Sequence, residues 1–425
     1  MKKEQLYSIY KKNPSVQTDT RKLKPGDLFF ALKGANFNGN LFAKQALEME
    51  ASAVIVDEDP GFEHPLLVKV DDSLKALQGL AHHHRRQFSI PFLAITGSNG
   101  KTTTKELVHA VLSSHFKTST TEGNLNNHIG IPLTILKIPF DAEIAVIEMG
   151  ANHQREIASY CTYTEPTHGL INNVGKAHLE GFGGIEGVKK GKGELYDFIR
   201  ETNGAIFINT DFDYLQEMSR GIHHKVTYGS ANAETTGRIL ESDPLLQVEI
   251  TSNPEIGIIS THLVGDYNLP NVLAAVSVGL YFKVPSQKIK SAIESYIPSN
   301  SRSQMMERGS NHIILDAYNA NPSSMKLAIE NFAKLKAPNK TVLLGAMAEL
   351  GEESIAEHKM LAELLAQYKW HNVVLVGGDF LKIHHPFLSF ADSTEAKDWF
   401  TARQFENEYI LIKGSRSMKM EKILE

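Results

Sequence analysis

The chain has 425 residues, 42% hydrophobic and 22% charged, enough apolar material for about three cores at roughly 150 residues each. With 31 glycines, 16 prolines and no compositionally simple stretch, fibrous and disordered classes are excluded. The net charge of −5 offers no general attraction for nucleic acid or an anionic membrane, so any anionic ligand must be held locally.

The opening residues, Met1 to Lys12, contain no apolar h-region, and nowhere do about 18 apolar residues run uninterrupted. A cytoplasmic protein without membrane insertion is expected. To residue 88 the pattern is a small α/β unit: a Pro25-Gly26-Asp27 turn, a strand at Leu28–Leu32, a helix near 40–50, a strand at Ser52–Val56 and a helix over 73–88. His82-His83-His84 falls in that last helix, where consecutive residues point about 100° apart and make no single metal face. The three are expected on a solvated surface, as are His223-His224 and His384-His385.

Ser89-Ile90-Pro91 marks a domain boundary, after which strand, glycine loop and helix alternate. Strands are predicted at Phe92–Thr96, Ile144–Glu148, Gly169–Val174 and Ala205–Asn209, with helices at 101–116, 185–199 and 269–283. Nearly all-apolar strands in this order argue a parallel sheet covered on both faces. The single cysteine, Cys161, excludes an intrachain disulfide and a thiolate metal cage, and reads as core packing rather than a nucleophile. Beyond about 299 a third α/β pattern has strands at His312–Leu315, Thr341–Gly345, Val373–Gly377 and Tyr409–Lys413. The fold class is therefore α/β with three domains: a small N-terminal α/β domain (1–88), a central P-loop ATPase-like, mostly parallel sheet (89–298) and a C-terminal Rossmann-like domain (299–425).

Three features carry chemistry. In Ala94-Ile95-Thr96-Gly97-Ser98-Asn99-Gly100-Lys101-Thr102-Thr103-Thr104 an apolar strand ends in a glycine-bounded loop and a helix starts at the lysine. Backbone N–H groups and the helix N-terminus suit a polyphosphate, Lys101 can reach outer phosphates, and Thr102 can ligate Mg²⁺. Ile95 stands where the usual pattern has a glycine, so an ordinary strand-to-helix turn is the alternative. Glu148 ends a buried-looking strand, and in a doubly wound sheet it should converge with His178 near the phosphate loop. Mg²⁺ prefers oxygen, making Glu148 the natural ligand and His178 a secondary one; for Glu148 a helix cap or surface ion pair is the alternative. Lys192 shares a helix face with Val188, Leu195 and Ile199 and so points inward. Its amine could add CO₂ to give an anionic carbamate, the simpler alternative being a lysine that snorkels to solvent.

These residues resemble a known family. Gly97–Thr104, Gly123–Pro132, Glu148–His153, Ala177–Gly183 and Lys192-Gly193-Glu194 are similar to the central domain of the Mur ligases, which build the peptide stem of peptidoglycan. Pro25–Gly34 resembles their uridine-nucleotide domain and Lys413–Ser417 their C-terminal domain; Tyr318-Asn319-Ala320-Asn321 is similar to the signature of the branch that adds D-alanyl-D-alanine. The chain departs from the family at Gly265-Asp266-Tyr267-Asn268, Asn38-Gly39-Asn40 and Leu343–Met347.

The resemblance implies ATP-dependent joining of D-alanyl-D-alanine to UDP-N-acetylmuramoyl-tripeptide through an acyl phosphate, with Mg²⁺. It implies Lys101, Glu148, His178 and Lys192 as catalytic, and Thr102, Glu148, His178 and carbamylated Lys192 as metal ligands. ATP would meet Gly97, Ser98, Asn99, Gly100, Lys101, Thr102, Thr103, Asn268, Asn271, Arg302 and Asp316. Substrate would meet Thr20, Arg21, Lys33, Asn126, Asn127, Tyr318, Asn319, Asn321 and Arg416. A monomer is expected. The alternatives are another amino acid ligase, of Mur or folylpolyglutamate type, and a non-catalytic ATP-gated binding protein.

Overall fold

The computed structural model describes residues 3–299 and 302–425; Met1 and Lys2 of the opening segment read above lie outside the described residues. The chain is α/β and packs as two compact units, 1–94 with 116–150 and 156–168, and 95–115 with 151–155 and 169–425.

In the first unit a parallel sheet runs in the order Val16–Gln17, Leu28–Phe30, Ala53–Val56, Leu67–Lys69. Its short strands are fully buried at Leu28–Phe30 and Ala53–Val56 because both are uninterrupted apolar runs. Phe29, Val54 and Val56 pack on Ala43, Ala46 and Ala51, small residues that let the helix Ala43–Glu48 approach closely. The same unit holds Thr118–Thr120 paired in parallel with Ile144–Glu148.

The helix Ser73–Arg85 starts at Asp72, whose carboxylate accepts from Lys75 N, and it buries Leu77, Leu80, Ala81, His84 and Arg85. That periodicity corrects the expectation of a solvated histidine run. His84 is 1% exposed: Nε2 donates to Ile138 O at 3.0 Å, leaving Nδ1 to accept from Tyr7 Oη at 3.0 Å. Its position in phase with Leu77 and Leu80 outweighs the polarity of the ring.

The second unit contains two layers. In one, Ala205–Asn209 pairs in parallel with His224–Gly229, which pairs in parallel with Thr235–Ser242; Leu245–Ile250 and Ile258–Val264 then add antiparallel. The sequence reading places no strand between Asn209 and the helix at 269. Leu245–Ile250 and Ile258–Val264 bury mainly alternate residues, and Thr235–Ser242 buries only Thr235 and Gly237, so none of the three makes an unbroken apolar run. The helix Leu269–Tyr281, buried almost throughout, covers this layer.

In the other layer six strands run in the order Gln304–Arg308, Asn311–Asp316, Tyr409–Lys413, Lys340–Gly345, Asn372–Val376, Leu388–Phe390, parallel except for the first pair. Its core includes Leu315, Leu343, Val374 and Ile412.

Burial holds the His84 imidazole below its ordinary pKa, so the folded first unit disfavours the proton that the unfolded chain accepts at about pH 6.5. The contribution of His84 to stability should therefore be constant above that pH and fall as pH drops from about 6.5 toward the folded value. Melting temperatures between pH 8 and pH 5 should show a shallower acid slope for His84→Gln than for the native chain, and identical slopes would contradict the assignment.

Candidate nucleotide and ligase site

All five residues of Phe92–Thr96 are buried, and the chain leaves the strand through Gly97 (φ 146°) and enters the helix Lys101–Ser113 through Gly100 (φ 78°). Both angles favour glycine, and space gives a second reason: a Cβ at Gly100 would sit 2.7 Å from Asn271 Oδ1. The loop is pinned by the segment after His168–Ile171. Ser98 N donates to Asn173 O (3.0 Å), Asn99 N donates to Asn173 Oδ1 (2.9 Å), and Ser98 Oγ both donates to Gly175 O and accepts from Gly175 N. Lys101 Nζ donates to Gly97 O at 2.7 Å and Ser98 O at 3.3 Å, which holds the cation against the loop at the start of a helix.

Behind the loop stands a chain of buried amides. Asn172 Nδ2 donates to Thr104 Oγ1 (2.6 Å), Thr104 Oγ1 donates to Asn271 Oδ1 (3.0 Å), Asn271 Nδ2 donates to Asn268 Oδ1 (2.8 Å) and Asn268 Nδ2 donates to Val264 O (2.8 Å). Asn268 and Asn271 are thus brought to the phosphate loop, with their side chains also engaged in supporting it. Thr104, Asn172 and Asn173 were not singled out from sequence; the Asn172-Asn173 pair at a C-terminal strand end was the available signal.

In the first unit, Glu148 is 1% exposed, with its N–H donating to Thr121 Oγ1 and Oε1 accepting from Asn126 Nδ2 at 2.7 Å. Asn127 Oδ1 accepts from Ile129 N and Gly130 N, turning the chain into the helix Gly130–Leu136. Arg21 forks onto Asp19 (2.9 and 2.8 Å) beside Thr20, in a single exposed turn, and Lys33 pairs with Glu58.

In the second unit Lys192 is 1% exposed, as its helical phase requires. Nζ donates to Ala151 O at 3.1 Å and lies 5.0 Å from the Phe182 ring centroid. His178, at φ 52°, uses Nδ1 toward Glu349, and that hydrogen bond holds the Glu349 carboxyl below the usual range. Nε2 is then the nitrogen suited to a ligand.

The C-terminal layer gathers the remaining candidates. Asp316 accepts from buried Lys413 Nζ (2.5 Å) and from Ser303 N (3.2 Å). The Arg302 guanidinium lies 3.7 Å from the Tyr318 ring centroid, with Arg416 5.9 Å from the same ring. Lys413 Nζ also donates to Asn319 O at 3.4 Å. Asn321 caps the helix Pro322–Lys334 through Ser324 N, and its Nδ2 donates to Asn99 Oδ1 at 2.8 Å, joining this cluster to the phosphate loop. Tyr267 is half-buried, and its hydroxyl meets Ser303 Oγ at 3.3 Å.

Three family models match the chain: "Mur ligase family, catalytic domain" over 14–85, "Mur ligase middle domain" over 95–279 and "Mur ligase, glutamate ligase domain" over 301–416. The UDP-N-acetylmuramoyl-tripeptide--D-alanyl-D-alanine ligase of Escherichia coli K12 is 36% identical, covering 96% of this chain and 92% of that protein; its Bacillus subtilis 168 counterpart is 34% identical with the same coverage. Among solved structures, MurF from Acinetobacter baumannii superposes with a TM-score of 0.87 at 29% identity over 96% and 92% of the two chains. MurF ligase from Thermotoga maritima in complex with ADP gives 0.84 at 26% identity over 96% of each.

Gly100→Ala should weaken ATP binding about tenfold or more, since a left-handed alanine costs about 1–2 kcal/mol and its methyl meets Asn271. Calorimetric titration with ATP checks this, and native affinity would place the nucleotide elsewhere.

Proposed function

The chain belongs to the Mur ligase family, and within it we propose that it joins D-alanyl-D-alanine to UDP-N-acetylmuramoyl-tripeptide in peptidoglycan precursor synthesis, in the cytoplasm and as a monomer. The carrying observation is the Asn321–Asn99 hydrogen bond, which ties the Tyr318-Asn319-Ala320-Asn321 run to the phosphate loop. Near full-length relatives named for this one activity support the same reading. Among the described residues no helix is long and apolar enough to cross a membrane. Domains at 1–88, 89–298 and 299–425 are supported by the limits of the three family models.

In this reading a tripeptide carboxylate oxygen attacks the γ-phosphorus of ATP, the bond to the β,γ-bridging oxygen breaks, and ADP leaves. The dipeptide amine then adds to the acyl phosphate carbonyl, loses a proton, and the tetrahedral intermediate expels phosphate to leave the amide. Gly97, Ser98, Asn99, Gly100 and Thr103 cradle the phosphates, Lys101 follows the charge on the transferred group, and Arg302 and Asp316 hold the nucleotide from the C-terminal layer. Asn268 and Asn271 serve the nucleotide by holding the loop. Thr20, Arg21, Lys33, Asn126 and Asn127 are assigned to the UDP-tripeptide side; Tyr318, Asn319, Asn321 and Arg416 are assigned to the peptide substrates.

Among the described residues no three His, Cys, Asp or Glu side chains gather to hold an ion. Thr102, Glu148, His178 and a carbamylated Lys192 are the residues that the family resemblance assigns to Mg²⁺, with phosphate oxygens completing the coordination. Bound Mg²⁺ would offset phosphate charge. Carbamylation of Lys192 is supported by its burial on the helix Ile185–Glu201 and by its place in the Lys192-Gly193-Glu194 run, and the carbamate N–H could still donate to Ala151 O.

Phosphate release should require ATP, Mg²⁺, UDP-tripeptide and D-alanyl-D-alanine together; equal release without the dipeptide would overturn the proposal. Lys101→Ala should lower turnover at least about a hundredfold in the same assay. Labelled bicarbonate should give a carbon-13 carbamate resonance that Lys192→Arg abolishes, and a plain lysine in active enzyme would remove that residue from the ligand set.

A further inference from the structure

The segment from Asn173 to Glu180 touches the phosphate loop on one side and the C-terminal layer on the other. Toward the loop, Gly175 exchanges two hydrogen bonds with the Ser98 hydroxyl. Toward the C-terminal layer, Lys176 N donates to Ser323 Oγ at 3.2 Å, Lys176 Nζ donates to Glu357 Oε1 at 2.5 Å, His178 meets Glu349, and Glu180 N donates to Glu349 O at 3.4 Å. Lys176 is therefore one residue from the Ser98 partner and two from His178.

Glu357 is not an ordinary surface anion. Its side chain is 5% exposed on the helix Ser354–Leu365, whereas that of Lys176 is 43% exposed. A carboxylate so deeply placed needs a cation, and an ion pair of this kind is far more sensitive to losing one partner than an exposed pair. The adjacent His358 makes the support rigid. Its Nδ1 donates to Ser354 O (2.7 Å) and its Nε2 accepts from Met347 N (3.0 Å), fixing to this helix the loop that carries Glu349. Glu357 and Glu349 thus reach the 173–180 segment from one braced piece of structure.

We propose that Lys176 and Glu357 form a positioning pair that sets residues 175–178, and through them Ser98 and His178, against the C-terminal layer. The catalytic part of this inference rests on the ligase reading above; the structural part does not. Hydrogen exchange on the free full-length chain tests the structural part. Lys176→Met and Glu357→Gln should each speed amide exchange in peptides covering 174–182 at least about tenfold, with the strand Asn311–Asp316 unchanged. Unchanged exchange at 174–182 would overturn the proposal whatever the kinetics.

The catalytic part is a double-mutant cycle with dipeptide-dependent phosphate release as the readout. Each single variant should lose about tenfold or more in kcat/KM for ATP, with KM for ATP raised and KM for the dipeptide within about twofold; the double variant should be no worse than either single. A loss of folded fraction alone would lower kcat and leave both KM values in place, so that pattern, or multiplicative losses in the double variant, would overturn the positioning role. Native enzyme that releases phosphate without dipeptide would instead overturn the ligase reading, and the exchange result would still decide the pair.

Discussion

The glycine loop donates its Ser98 and Asn99 N–H groups to Asn173, which fixes its tip, and the helix start that it leads into must be held from behind. Here that support is the buried run from Asn172 through Thr104 and Asn271 to Asn268, ending on the Val264 carbonyl. Each member is both supported and supporting, and removing one would leave a buried partner unsatisfied at about 1–3 kcal/mol. The close approach of Asn271 to Gly100 is also what denies that position a side chain. The amide run thus determines the loop's shape, and the loop's shape determines what the helix at Lys101 can bind.

The lysines around this loop illustrate how burial assigns work to one residue type. Lys101 remains partly exposed on two carbonyls, where an ammonium is comfortable and can follow a phosphate. Lys192 is buried with its Nζ on the Ala151 carbonyl and near the Phe182 ring, where the proposed carbamate would form. Lys413 is buried as well, and Asp316 stands against it and keeps the charge paired.

The strand, loop and helix grammar was legible because it is local. Phe92–Thr96, Ile144–Glu148, Ala205–Asn209 and Tyr409–Lys413 form where unbroken apolar runs predict them, and Lys192 turns inward because helical phase requires it. The strands between Thr235 and Val264 escaped because polar residues such as Arg238, Gln247, Ser260 and His262 break their apolar runs and one face stays partly exposed. His84 was misread through its polarity, although its spacing from Leu77 and Leu80 held the answer. Of the site, the glycine loop and its lysine could be read directly. Glu349 and Glu357 could not, since each acts on a partner 171 or 181 positions away and carries no local pattern to mark it.

The Asn321 side chain performs two tasks with one amide: its oxygen begins the helix Pro322–Lys334, and its nitrogen reaches Asn99. Neither task can drift alone, because aspartate would keep the helix start but lack the donor that Asn99 receives, and serine has a single shorter oxygen for both tasks. The C-terminal layer is consequently a poor candidate for transplantation between relatives. A chimaera that takes residues 302–425 from another member inherits a matched half of a pair whose other half stays behind in the phosphate loop, so recombination breakpoints should respect positions 99 and 321 as a single heritable unit.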